Sequence, residues 1–323
     1  MSYADKVFKE MCTNIVEHGC DTKGELVRPI WPDTGESAYT IKQFGVVNRY
    51  DLRKEFPALT LRKTAIKSAF DELLWIWQKQ SNNVNDLNSH IWDEWADETG
   101  SIGSAYGYQI GKKYCHHKYK FNNETDYLKM KKELVDGKYH FENHGYPPYN
   151  SDYKYEGEIW LTQIDGVIWD LKHNPYSRRI LTNIYNFADL KDMHLYPCAY
   201  SMTFNVTKDD DSGKLVLNGI LNQRSQDVLA ANNWNVVQYS LLIMMIAQCC
   251  DMIPGELVHM IADCHIYDRH IPIIKELISR EEHPAPKVWF DPDVKNFYDF
   301  TKDNLHVENY ETGPQITNIP IAV

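Results

Sequence analysis

Two residues in this chain have the chemistry to act together on one substrate. Cys198, in Leu195-Tyr196-Pro197-Cys198-Ala199-Tyr200, is a soft nucleophile. Arg224 lies 26 positions later, in Asn222-Gln223-Arg224-Ser225-Gln226-Asp227, and is a cation flanked by hydroxyl and amide groups. Sulfur adds readily to conjugated, electron-poor carbons, and a guanidinium grips phosphate through two parallel hydrogen bonds. The pair therefore suits attack on an electron-poor ring that carries a phosphate. Taken alone, such a cysteine is more often a buried structural thiol. Asn235 offers both a donor and an acceptor to a ring edge, although just before Val236 it would also serve as a helix cap. His265 and Tyr267 alternate onto one face of a strand and could meet a hydroxyl group, though polar pairs of this kind are commonly structural.

These groups need a scaffold. With 323 residues, 43% hydrophobic and 13% aromatic, the chain can bury a large core, and one catalytic domain spanning 1–323 is the economical reading. Residues 2–18 read as a helix ending near Gly19, with Val7, Phe8, Met11, Ile15 and Val16 on one face. Residues 62–80 read as a second helix, whose apolar stripe through Ile66, Phe70, Leu73 and Trp77 runs beside Glu72 and should partly desolvate it. The stretch at about 114–158, with Pro147-Pro148 inside it, reads as a surface insertion, helical around 126–135 and otherwise loop. A helix at 161–172, ended by Asn174-Pro175, precedes strands at 179–185, 198–207 and 215–222 and an apolar helix at about 236–250. Arg178 and Arg179, entering the first of these strands, would point to opposite faces. This order predicts an α/β or α+β fold, a mixed β-sheet layered with helices.

Several classes of function are disfavoured. Seven cysteines without a C-x-x-C pair argue against a disulfide framework and a structural zinc site. Cys115-His116-His117 invites a metal, but adjacent residues do not converge easily on one ion, and none is expected. A formal charge of −11 disfavours nucleic acid as a partner, so an anionic substrate would require arginines gathered locally. The first residues form no apolar leader and no apolar run approaches membrane length, so no membrane partner is required and a cytoplasmic location is expected. A Gly-rich dinucleotide fingerprint is missing, so neither nicotinamide nor flavin is expected.

The segment around Cys198 and Arg224 resembles the catalytic segment of the thymidylate synthases, folate-dependent enzymes that methylate dUMP. Further matches run in the family's order from Arg28 to Val323. The resemblance implies a thymidylate synthase-like fold with sheets packed at a dimer interface. It also implies reductive methylation of dUMP to dTMP, with 5,10-methylenetetrahydrofolate as one-carbon and hydride donor and dihydrofolate as second product. By the same resemblance Cys198 adds to C6 of uracil, Glu72 and Tyr106 manage protons, and Asn235 selects uracil. Arg28, Arg224 and Ser225 would bind the phosphate, joined by Arg178 and Arg179 from the other subunit of a homodimer, and His265 and Tyr267 would hold the 3′-hydroxyl. Folate would lie against Ile91, Trp92, Trp95, Leu195, Asp227, Ala231 and Trp234, beneath a closing tail that ends in Ala322-Val323. Where the family carries Gly, Pro and Phe, this chain has Ala231, Asn233 and Trp234. Ala199 and Thr203 also stand where many members carry His and Gln. The polar Asn232-Asn233 replacement on the folate side could admit water, so a dUMP hydroxymethylase of the same fold is the alternative. A catalytically idle nucleotide-binding relative would be expected to have lost Cys198, Arg224 or the tail, and this chain keeps all three.

Overall fold

Six strands form the sheet on which the chain is organised, in the order β1 (Cys20–Asp21), β2 (Thr40–Asp51), β8 (Ile253–Tyr267), β7 (Leu215–Asp227), β6 (Ala199–Lys208) and β5 (Leu181–Asn183). The computed structural model describes residues 1–121, 123–136 and 155–323. All pairings in this sheet are antiparallel except β7 with β8. A parallel pair needs a crossover, and helix α6 (Asn232–Cys249) provides it. α6 is apolar nearly all round because it lies between β7 and β8 on one side and α2 (Ile66–Trp77) on the other. α1 (Tyr3–His18) packs on β2 and β8 and touches α7 (Ile271–Ser279). The short α3 (Gly107–Gly111) joins α2 to α5 (Gln163–His173), and β9 (Lys287–Phe290) pairs with β10 (Leu305–Glu308).

Away from this helical layer the sheet leaves apolar side chains uncovered. Val47 and Met260, directly paired across β2 and β8, are 51% and 41% exposed, and Leu181 of β5 is exposed as well. An apolar face of this kind is a natural contact surface. No helix among the described residues is long and apolar enough to cross a membrane.

The stretch at about 114–158 is not mainly loop. β3 (Tyr114–Phe121) and β4 (Tyr155–Leu161) form an antiparallel pair, with α4 (Glu124–Asp136) between them in sequence. Its strands are rich in Tyr, Lys and His and pair over long range, so they carry no local apolar alternation that would reveal them. The helix expected near 126–135 is present, while the loop expected around Pro147-Pro148 lies outside the described residues. Leu161 ends β4, and α5 begins two residues later because the Thr162 side chain caps it by accepting the Asp165 N–H. Arg178 and Arg179 do not enter a strand: they occupy a turn ahead of β5, where both are exposed. β7 extends to Asp227, five residues beyond the expected end, which places Arg224, Ser225 and Asp227 on a strand. α6 likewise starts early, with Ala231 at its N-cap, so Asn235 lies inside the helix and caps nothing.

Candidate active site

Cys198 stands immediately before β6, and the β6–β7 register (Ala199 opposite Gln223) brings Arg224 alongside it. The Arg224 backbone N–H donates to the Cys198 carbonyl at 2.9 Å. Its side chain donates through Nε to Pro197 O at 2.9 Å and through Nη2 to Tyr196 O at 2.8 Å, with Nη2 3.7 Å from the Cys198 sulfur. One arginine therefore fixes the turn that carries the thiol. From the other side, the Cys198 N–H donates to the Tyr106 hydroxyl at 3.4 Å. Tyr106 has φ 44°, unusual for a bulky side chain and the sort of backbone strain that gathers at functional sites. Burial pushes the Cys198 thiol above its ordinary range, and the nearby charges of Arg224 and Arg28 only partly offset this.

Glu72 projects from α2 into the same region. Its carboxylate accepts from Trp92 Nε1 at 2.8 Å and from Trp234 Nε1. Burial pushes this carboxyl up to about 7 against the pull of its bonds to Trp234, Trp92 and Gln238. A group with that value can hold or release a proton near neutrality. Trp92 is only 7% exposed, enclosed by the rings of Trp75, Trp95 and Tyr106 at 5.8, 5.6 and 4.8 Å. Its clearest contact is thus with Glu72, while Ile91 is exposed and Trp95 half-buried.

A stability prediction follows from Glu72. Its ordinary value is 4.5 and its folded value about 7, so the folded chain holds a proton that the unfolded chain has already released. Stability contributed in this way is complete below pH 4.5 and is lost as pH rises through 7, a change of about 3 kcal/mol. Glu72→Gln cannot titrate. Denaturant unfolding should show its stability gaining on the wild type by that amount between about pH 4 and pH 8, and parallel pH curves would refute the assignment.

Asn235 is oriented from behind. Its Oδ1 accepts from Gln223 Nε2 at 3.3 Å and Gln226 Nε2 at 3.4 Å, and Gln223 Oε1 meets His259 Nε2 at 2.8 Å. Burial lowers His259 to about 3 and keeps it neutral. With Nε2 donating to Gln223, the Gln223 amide is turned so that its NH2 faces Asn235, which leaves the Asn235 Nδ2 donors for another partner. The sequence reading missed Gln223 and His259; the available signal was His259, a polar side chain inside the apolar run Leu257-Val258-His259-Met260-Ile261, whereas Gln223 is hidden in a polar run.

The parallel register sets Asp227 opposite His265. His265 Nδ1 is 2.8 Å from Asp263, which is itself paired with Lys42 at 2.7 Å, and the His265 ring lies 5.1 Å from that of Tyr267. Burial raises Tyr267 to about 12, so its hydroxyl stays protonated. Asp227 Oδ1 accepts the N–H groups of Leu229 and Ala230 at 3.0 and 3.1 Å and is 3.5 Å from His270 Nδ1. His270 Nε2 in turn donates to Pro320 O at 2.7 Å. The C-terminal tail is also tied to Ile30, whose N–H donates to Val323 O at 2.8 Å and whose carbonyl accepts from the Val323 N–H at 3.1 Å. Arg28, two residues earlier, is exposed, and its charge is felt at Cys198 and Tyr267. Arg178 and Arg179 stand apart: neither guanidinium has a hydrogen-bonded or ion-paired partner among the described residues.

The unusual loop before α6 has a clear internal role. Asn233 is buried; its Oδ1 accepts from the Leu59 N–H at 2.9 Å and Thr64 Oγ1 at 2.6 Å, and its Nδ2 donates to Pro57 O at 3.0 Å. Its polar atoms fasten α6 to residues 57–64 and do not line a cavity. Trp234 reaches Glu72, while Ala231 and Leu195 are half-buried.

Comparison with known proteins agrees with this arrangement. A sequence model described as thymidylate synthase matches residues 6–323. Thymidylate synthase of Bacillus licheniformis is 38% identical over 320 residues, 98% of each chain, and thymidylate synthase 1 of Bacillus subtilis is 37% identical over 319 residues, again 98% of each. The structure of thermostable thymidylate synthase A from Bacillus subtilis superposes with a TM-score of 0.80 at 35% identity, covering 99% of both chains. With a cysteine and an arginine locked together and relatives aligned end to end, the chain belongs to the thymidylate synthase family.

Proposed function

We propose individual roles for these residues in the family's reaction, the reductive methylation of dUMP to dTMP with 5,10-methylenetetrahydrofolate. The observation that carries the reading is the hold of Arg224 on the Cys198 turn, with Nη2 3.7 Å from the sulfur. Cys198 adds to C6 of uracil, its proton passing to water as the S–C bond forms and the C5=C6 electrons moving toward O4, which makes C5 nucleophilic. The Asn235 donors and the Glu72 carboxyl, through water, stabilise charge developing toward O4. Tyr106 and ordered water take the C5 proton. The folate co-substrate supplies the methylene carbon; loss of the C5 proton expels tetrahydrofolate, and hydride transfer from it to the exocyclic methylene breaks the Cys198–C6 bond, so that dTMP and dihydrofolate leave and the thiolate is regenerated. The family requires no metal or flavin for this chemistry. The fit to folate rests on the exposed Ile91, the half-buried Trp95, Leu195, Ala231 and Trp234, and on Asp227 Oδ2, which has no partner among the described residues and is available to ring N–H groups. Arg28, Arg224 and Ser225 hold the nucleotide phosphate, and His265 with Tyr267 the 3′-hydroxyl.

The exposed pair Val47 and Met260 on the open sheet face supports a homodimer. In it Arg178 and Arg179, which have no side-chain partner among the described residues, complete the phosphate site of the other subunit, in a cytoplasmic enzyme. The hydroxymethylase alternative is not favoured, because the polar atoms of Asn233 are occupied in internal bonds. Incubation with dUMP and 5,10-methylenetetrahydrofolate should give dTMP and dihydrofolate in equal amounts, followed by the absorbance rise of dihydrofolate. Hydroxymethyl-dUMP without dihydrofolate would overturn the reading.

A further inference from the structure

Neighbouring residues on a regular strand point to opposite faces, so His116 and His117 would ordinarily diverge. In β3 they do not, because the pairing with β4 slips between Cys115 and His117. A bulge of this kind re-aims a side chain, and both imidazoles reach one carboxylate on α5. His116 Nε2 lies 2.9 Å and His117 Nε2 3.6 Å from Asp170 Oδ1. The donor atoms of all three residues lie within 4.8 Å of one another. Bonds of about 2.1 Å at tetrahedral angles separate two donor atoms by about 3.4 Å, a value that the two imidazole spacings from Asp170 bracket.

The surroundings are equally specific. His116 Nδ1 is 3.1 Å from the Tyr114 hydroxyl, an outer partner able to accept from Nδ1–H once an ion replaces the proton between Nε2 and Asp170. Gly166 lies one helical turn before Asp170, and a Cβ there would sit 2.3 Å from that hydroxyl and 3.2 Å from His116 Nδ1. The absence of a side chain at 166 is therefore what lets β3 close on α5. His116 is 9% exposed, Asp170 20% and His117 45%, so the cluster is anchored on one side and open to solvent on the other.

We propose that His116, His117 and Asp170 form a site for a divalent ion of the zinc, nickel or cobalt class, with solvent at the remaining positions, tying β3 to α5. Two imidazoles and one carboxylate suit such ions better than magnesium or calcium, which prefer oxygen ligands. The site is separate from Cys198 and takes no part in methyl transfer.

The test uses untagged, EDTA-stripped full-length protein. Calorimetric titration with NiCl2 should give one ion per chain, with affinity falling at least about tenfold in His117→Ala and in Asp170→Asn. His117→Ala should retain synthase turnover, which shows that the variant is folded. Loaded with CoCl2, the wild type should show visible ligand-field bands without a thiolate charge-transfer band. No uptake by the wild type, unchanged affinity in both variants, or a thiolate band placing the ion on a cysteine would each overturn the proposal.

Discussion

Cys198→Ser should lower turnover by at least about a thousandfold while dUMP binding changes only a few-fold. The Arg224 bonds to the Tyr196 and Pro197 carbonyls do not involve the sulfur, so the turn should survive the exchange. What disappears is a polarisable nucleophile. A serine hydroxyl in the same place would gain no base from Arg224, the cation beside it. Stopped turnover with dUMP still bound, measured by equilibrium dialysis beside the spectrophotometric assay, would place Cys198 in the covalent step. Substantial residual turnover would exclude it as the nucleophile.

Deleting Ala322 and Val323 should cost about a hundredfold in turnover, with a much smaller change in the KM for dUMP. The last residue is held by a reciprocal backbone pair with Ile30, and Pro320 by His270, whose other nitrogen faces Asp227. Without the pair the tail loses its anchor beside Arg28, and the folate side of the site opens to water. Arg224 and Ser225, the proposed phosphate ligands, belong to β7 and stay in place. Burial works against charge on His270, but Asp227, the Pro320 carbonyl and Asp268 together raise it. Steady-state kinetics on the truncated enzyme, with both substrates varied, gives the answer; unaltered turnover would exclude the tail as a closing element.

The parts of this molecule with strong periodicity were legible in the sequence. α1 and α2 were visible as apolar stripes, and the Cys198 and Arg224 segments declared their chemistry by residue type. The hairpin of β3 and β4 was not visible, because its stability comes from partners some forty positions away and not from local alternation. The end of β7 was hidden for a related reason: residues 222–227 are polar, and a polar run reads as a loop unless the groups it binds are known. The link from His259 through Gln223 to Asn235 depends on three elements meeting in space. Asn233 shows the reverse case, a departure from the family pattern that suggested a wet pocket and proved to be an internal fastening.

Arg224 places two evolutionary pressures on one codon. Its Nε and Nη2 are spent on the carbonyls around the thiol, and in the proposed site the rest of the guanidinium serves the nucleotide phosphate. A lineage therefore cannot relax phosphate affinity at position 224 without unfastening its own nucleophile. Lysine is no intermediate on the way, since one ammonium cannot reproduce the planar fork. On the proposed assignment, drift in nucleotide affinity is left to Arg28, Arg178 and Arg179, exposed positions whose guanidinium groups hold no other part of the site among the described residues.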